Sequence, residues 1–246
     1  MIQRRRGLII LGVLTLVVAL VVTFPARVAY SLVSSPFMAM NGISGTIWNG
    51  SAREFSTNGI YLRKLEWHMR PLQLVTGKAV YVVSGSPASG FFDSEVSVAL
   101  DGTLTLSGLR ASMPLQMVER AVGVPGLRGS ASVRLERLEL ANGRAVAAEG
   151  MINVENLVVP MLNRSSLGGY RAEFYTQNNG ILASIEDADG AVDLAGTLSL
   201  KPDKTYEFLG YVAPNSRTSD SLRQRLQFLP KTDQPNQHEM RLEGSY

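Results

Sequence analysis

The chain has 246 residues, a formal net charge of +3 and no cysteine. Without cysteine there are no disulfides, thiol nucleophiles, thiolate metal sites or lipoprotein-type acylation, so any fold is held by packing and hydrogen bonds alone. The surplus charge lies in Arg4, Arg5 and Arg6. Beyond residue 26 there remain 21 basic and 21 acidic residues, which leaves no concentrated basic face of the kind nucleic acid requires.

From Leu8 to Phe24 the sequence carries no charged side chain, and thirteen of these residues are Leu, Ile, Val or Phe. At about −0.3 to −0.6 kcal/mol each, they favour insertion into a bilayer by roughly 4 to 8 kcal/mol before Gly and Thr are counted against it. Leu8, Ile9, Leu11, Leu14, Val17, Leu20, Val22 and Phe24 therefore predict a membrane anchor over residues 7–26. The rival is a cleaved secretory signal. Cutting after Ala29 would put Arg27 at the minus-three position, and cutting after Ala26 would put Phe24 there. Signal peptidase wants a small residue at that place. Arg4, Arg5 and Arg6 precede the apolar run whereas Arg27 alone closely follows it, so the positive-inside bias keeps residues 1–6 in the cytoplasm and sends 27–246 across.

After Arg27 the pattern becomes short alternating runs separated by Gly, Asn, Asp, Ser and Pro, the signature of strands with one apolar face. Val192, Leu194, Gly196, Leu198 and Leu200 share one parity between Ala191 and Lys201. Val96, Val98 and Leu100 lead through Asp101-Gly102 to Leu104 and Leu106, a hairpin signal in which both turn residues accept positive φ. Tyr170, Ala172 and Phe174 face Ile181, Ala183 and Ile185 across Asn178-Asn179-Gly180 as a second hairpin. In two places the parity switches: Ile60 and Leu62 are followed by Leu65 and Trp67, and Val133 and Leu135 by Leu138 and Leu140. Each switch predicts a bulge and hence a curved, twisted sheet.

Helical patterns are scarce. Pro114–Val122 is one candidate, and Asp220–Phe228, with Ser219 as cap, is another. Two short helices cannot cover the apolar face of about ten strands, so the sheet folds over itself or a lipid or partner covers part of it. The fold class expected is thus mostly β: one N-terminal transmembrane helix, then a curved, largely antiparallel sheet domain with two short helices. Glycine-led alternating runs recur at Gly102, Gly129 and Gly190, at spacings too uneven for a solenoid.

The residues that carry chemistry are few. His68 and His238 are the only histidines, and neither sits in a ligand cluster of metal-site spacing. No nucleophile elbow, phosphate loop or dinucleotide fingerprint is present. Glu186, Asp187 and Asp189 lack calcium-loop spacing and suit a strand-end turn. The sequence gives no catalytic, cofactor-binding or metal site, and an enzyme is not expected. Trp48 and Trp67, the only tryptophans, together with Pro71 form a candidate partner contact, the alternative being that both tryptophans are core. Phe91-Phe92 leaves the same choice open.

Gly42-Ile-Ser-Gly-Thr-Ile-Trp-Asn-Gly-Ser-Ala52, followed by Leu65-Glu-Trp-His-Met-Arg-Pro-Leu-Gln-Leu74, resembles the opening of the type II secretion system protein N family. The likeness continues through Val124-Pro-Gly-Leu-Arg-Gly129 and the Gly190–Pro214 hairpin with its Gly210-Tyr-Val-Ala-Pro214 ending. It implies a bitopic accessory subunit of the bacterial inner membrane, its main domain periplasmic, in the machine that exports folded proteins across the outer membrane. The implied partners are other inner-membrane or periplasmic subunits of that system. It also implies kinship with AsmA-like proteins, whose curved sheets enclose apolar grooves, and hence lipid as an alternative partner. The resemblance carries no catalytic residue and no cofactor.

Overall fold

The described residues of this computed structural model are 2–33, 38–57, 60–87, 89–177 and 180–245, the side chains of 2–10, 33, 60, 121 and 122 excepted. Helix α1 (Ile2–Val22) is followed by α2 (Ala26–Val33). Pro25 separates them, its carbonyl accepting from Val28 N at 3.1 Å and Ala29 N at 3.2 Å. Proline has no N–H to give and suits a helix start better than an interior. Leu11, Leu14, Val17, Leu20 and Val22 are 49–59% exposed, and Phe24 is half-buried. The expected anchor residues Leu8 and Ile9, and the basic Arg4, Arg5 and Arg6, have side chains outside the described residues. Among the described residues no helix is long and apolar enough to cross a membrane, so the expected single span has no support there.

The rest is one antiparallel meander. Its strands are β1 (Met38–Asn41), β2 (Ser44–Gly45), β3 (Asn49–Thr57), β4 (Ile60–Met69), β5 (Lys78–Pro87), β6 (Phe91–Ala99) and β7 (Leu104–Pro114). They continue as β8 (Arg128–Ala141), β9 (Arg144–Val158), β10 (Tyr170–Gln177), β11 (Gly180–Asp187), β12 (Val192–Leu200), β13 (Thr205–Pro214) and β14 (His238–Ser245). From β3 onward each strand pairs with the next; β1 and β2 both pair with β3. This agrees with the mostly β, antiparallel reading. The margins are β1 and β14, so the sheet is open.

Both expected hairpins form. Val98 pairs with Leu104, but of the two turn residues only Gly102 has positive φ, +82°. The turn is wider than the two-residue type because Ala99 N donates to Thr103 O at 2.9 Å, with Asp101 Oδ1 accepting from Thr103 N at 2.9 Å. Gln177 pairs with Gly180 and Tyr170 with Asp187, which fixes the register of the second hairpin; Asn178 and Asn179 lie outside the described residues. Both parity switches are bulges. Lys64, at φ +51°, stands where the β4–β5 register slips between Arg63 and Glu66. The second lies between Leu135 and Arg137 in the β8–β9 ladder, and β7 slips against β6 beside it, where Gly108 has φ +59°. Each inserted residue returns the apolar side chains to one face while bending the strand.

That face carries Ala52, Leu65 and Val83 at one margin and Ile181, Leu198 and Phe208 toward the other, linked strand by strand through their pairings. Protein covers it at the margins. At the N-terminal margin Ala26 and Ile43 pack with Ala52, Leu62 and Leu65. Toward the C-terminal margin α4 (Asp220–Leu226) buries Leu222 and Leu226 against Leu167, Val192 and Val212. Ser219 caps α4 as expected, accepting from Leu222 N at 3.4 Å. Residues 114–122 do not form the single helix expected. Pro114 ends β7, a 3-10 turn spans Leu115–Met117, and only α3 (Glu119–Val122) is α-helical. Leu115 is nevertheless buried with Leu127 and Ala131. In the middle of the face Val96, Leu106, Leu138, Ile152 and Phe174 are half-buried, while α2 packs on β2 and α4 on β13, toward the two margins.

The turns divide between two ends of the sheet. One end carries residues 46–48, 70–77, 100–103, 142–143 and 201–204; α4 and the 115–127 segment lie at the other.

Candidate interaction site at the helix–sheet junction

The residues between Gly45 and Gly50 form the turn of the β2–β3 hairpin. Thr46 holds it closed: its N donates to Asn49 O at 2.9 Å, and its Oγ1 accepts from Trp48 N at 3.3 Å and Asn49 N at 3.2 Å. Gly45 has φ +83° and faces Gly50, where a Cβ would come within 2.7 Å of the Gly50 Cα. Glycine is needed there for both backbone sign and space.

The turn grips the end of α1. Trp48 Nε1 donates to Val21 O at 2.7 Å, and Ile47 N donates to Phe24 O at 3.1 Å. The last carbonyls of a helix have no i+4 partner within it; here the domain supplies a donor to one of them, Val21 O, and a second to Phe24 O just past the helix end. Trp67, on β4, donates its Nε1 to Thr46 O at 3.1 Å, and Met69 N donates to Trp48 O at 2.7 Å. The two tryptophans therefore meet at one turn, half-buried. Pro71 is exposed and opens a 3-10 helix, Pro71–Thr76, closed by Gly77 at φ +75°.

Helix α2, unforeseen in the sequence reading, is held to the same region. Arg27 Nε donates to Ile43 O at 2.7 Å, and Tyr30 OH donates to Met38 O and accepts from Met40 N, both at 3.1 Å. Its signal was present in Pro25 followed by Ala26, Ala29 and Tyr30, apolar at i, i+3, i+4. Between α2 and the sheet lies an apolar pocket of about 280 Å³ lined by Ala26, Tyr30, Met40, Ile43, Trp67 and Tyr81. Burial pushes the Tyr81 phenol above its ordinary value. A second concavity, about 580 Å³, lies on the polar face among Lys78, Glu95, Ser107, Arg137 and Glu139. Arg70 reaches Glu95 at 2.7 Å near it.

His68 is exposed on β4 and His238 buried on β14, its Nδ1 3.2 Å from Leu229 O; the two strands lie near opposite margins. Among the described residues no group of three or more His, Cys, Asp or Glu is placed to hold a metal ion. Asp187 Oδ1 accepts from Leu194 N at 2.8 Å, Glu186 pairs with Arg171 at 3.6 Å, and Asp189 lies 4.0 Å from Arg217. These carboxylates are engaged by strand ends and arginines. Tyr170 is pushed up to about 12, first by burial and then by Asp187 and Asp189.

The geometry defines an open, single-sheet antiparallel β protein whose N-terminal helices are keyed into one margin by a glycine- and tryptophan-bearing turn. The family model for type II secretion system (T2SS), protein N matches residues 36–241, and the chain belongs to that family. It is 24% identical over 238 residues to the type II secretion system protein N of Vibrio cholerae, covering 93% of this chain and 94% of that one. To the protein of the same name from Aeromonas hydrophila it is 21% identical over 233 residues, 92% of each. No solved structure matches.

Proposed function

We propose that this protein is a non-catalytic structural subunit of a type II secretion machine, held in the bacterial inner membrane by α1 with its β domain in the periplasm. The observation that carries the reading is the grip of the Trp48 turn on the end of α1, formed by the motif through which the chain resembles its family. As a helix the uncharged run from Gly7 to Phe24 would measure about 27 Å, most of a hydrocarbon layer of about 30 Å. Its side chains from Leu11 to Val22 are apolar or small, save Thr15 bonded to its own turn at Leu11 O. The triple arginine Arg4-Arg5-Arg6, which precedes that uncharged run, favours a cytoplasmic N-terminus. Fixed hydrogen bonds from Trp48 and Ile47 would give the domain a set orientation to the bilayer, which suits a part that must meet neighbouring subunits.

Replacing residues 1–24 by a cleavable signal peptide tests this. The freed domain is expected to reach the periplasm, yet fail to restore secretion to cells lacking the protein. Full secretion by the freed domain would contradict the anchored role.

A second reading, binding or passage of lipid, is favoured by the middle of the apolar face, where Val96, Leu106, Leu138, Ile152 and Phe174 are only half-buried. Native mass spectra of the purified full chain are expected to carry a phospholipid mass that denaturing spectra lose. A lipid-free folded chain would remove this reading.

A further inference from the structure

We propose that the sheet end nearest α1 makes a second, interfacial contact with the bilayer surface, through Leu72, Val75 and Leu100. These are the most exposed large apolar side chains at that end, at 86%, 89% and 93%. They come from two separate loops that touch: a Cβ on Gly77, which closes the Pro71–Thr76 helix, would stand 3.7 Å from Leu100 Cδ1. Apolar tips from distinct loops on one edge form a shared footprint, which solitary exposed residues do not.

The footprint continues a row that begins at α1. Trp48 is bonded to Val21 at the helix end, Met69 N bonds back to Trp48 O, and the Pro71–Thr76 helix and the Leu100 turn follow in strand order along the same end. Farther along, the turns change character to Asn142-Gly143 and then to Lys201, Asp203 and Lys204. Apolar tips thus occur where the sheet adjoins α1 and give way to polar ones with distance from it. That gradient is expected if a curved sheet touches the membrane at one corner and lifts away from it. A tryptophan at the helix end suits the headgroup boundary, and apolar Leu and Val tips beside it suit shallow insertion below that boundary. The inference rests on the reading of α1 as a membrane anchor.

Because the chain has no cysteine, single-cysteine variants report one site each. The full chain carrying Leu72→Cys, Val75→Cys, Leu100→Cys, Phe228→Cys or Val17→Cys, labelled with a nitrobenzoxadiazole dye, is reconstituted into phosphatidylethanolamine–phosphatidylglycerol vesicles containing shallow nitroxide lipids for the four loop sites and mid-chain nitroxide lipids for Val17. Phe228 is equally exposed, at 89%, but follows α4 at the opposite end. Quenching at 72, 75 and 100 is expected to exceed that at 228 by about twofold or more. Quenching at those three sites no stronger than at 228 overturns the proposal. Val17 separates the two readings: an unquenched Val17 sinks the anchor and this contact together, whereas a quenched Val17 with unquenched loops sinks the contact alone.

Discussion

The indole of Trp67 occupies the space over Gly50, where a Cβ would stand 2.5 Å from Trp67 Cζ2 and 2.7 Å from Ser44 O. The same indole donates to Thr46 O, so one residue both packs on the hairpin and fastens its turn. Glycine at 50 is required for space, since its φ is not among the positive ones.

Gly50→Ala should therefore destabilise the domain by about 1–3 kcal/mol, because an added methyl meets both backbone and ring and the strand must shift. Denaturant unfolding followed by tryptophan fluorescence measures it. Wild-type stability in Gly50→Ala would show that the indole moves aside freely.

Lys64 supplies the extra residue that keeps Leu62 and Leu65, each 7% exposed, on the same face. Deleting it should turn Leu65 and Trp67 outward and leave an insoluble or molten chain, since a one-residue slip reverses every following side chain. Lys64→Gly keeps the bulge and its positive φ, and should fold with stability within about 1 kcal/mol of wild type. Soluble expression and circular dichroism of the two variants give the contrast.

At α4, Leu226→Ala should cost about 2–5 kcal/mol, because a buried side chain leaves a cavity. Phe228→Ala, two residues later and 89% exposed, should change stability by no more than about 0.5 kcal/mol. Thermal or denaturant unfolding distinguishes them; equal losses would mean that α4 is not packed on Val192 and Val212.

Tyr170 is raised from 10.0 to about 12. Burial disfavours its phenolate, so the unfolded chain ionises first. Its contribution to stability is complete below pH 10, declines as pH rises, and is lost by about pH 12. Phenolate absorbance should show a late-titrating tyrosine that disappears in Tyr170→Phe. An unchanged titration in that variant would contradict the burial of this hydroxyl, which donates to Leu167 O at 3.0 Å.

Much of this architecture was legible in residue order. Alternation marked β12 and the two hairpins, and the parity switches at Leu62–Leu65 and Leu135–Leu138 located two bulges, because a strand has period two and any slip must show. Ser219 and the Leu222–Leu226 spacing marked α4. What escaped was short or context-dependent. Helix α2 spans eight residues directly after the apolar run and was masked by it. The Pro71–Thr76 turn had a start signal in Pro71 and a stop in Gly77, but too few residues for a period. Pro114 was read as opening a helix, yet its ψ of 138° keeps it in strand β7. The tryptophans were legible as notable residues, but their joint role around Thr46 was not. A hydrogen bond across 27 residues, Trp48 to Val21, has no local signature.

An α1 anchor leaves the β domain on the periplasmic side of the inner membrane. Thiol labelling of single-cysteine variants in intact spheroplasts tests this, with Gln3→Cys at the N-terminal end, ahead of the uncharged run, and Ser216→Cys in the exposed turn after β13. A membrane-impermeant maleimide is expected to label Ser216→Cys at once and Gln3→Cys only after the membrane is broken, with the chain remaining in the membrane after alkaline extraction. Labelling of both sites in intact spheroplasts, or release of the chain by alkali, would contradict it.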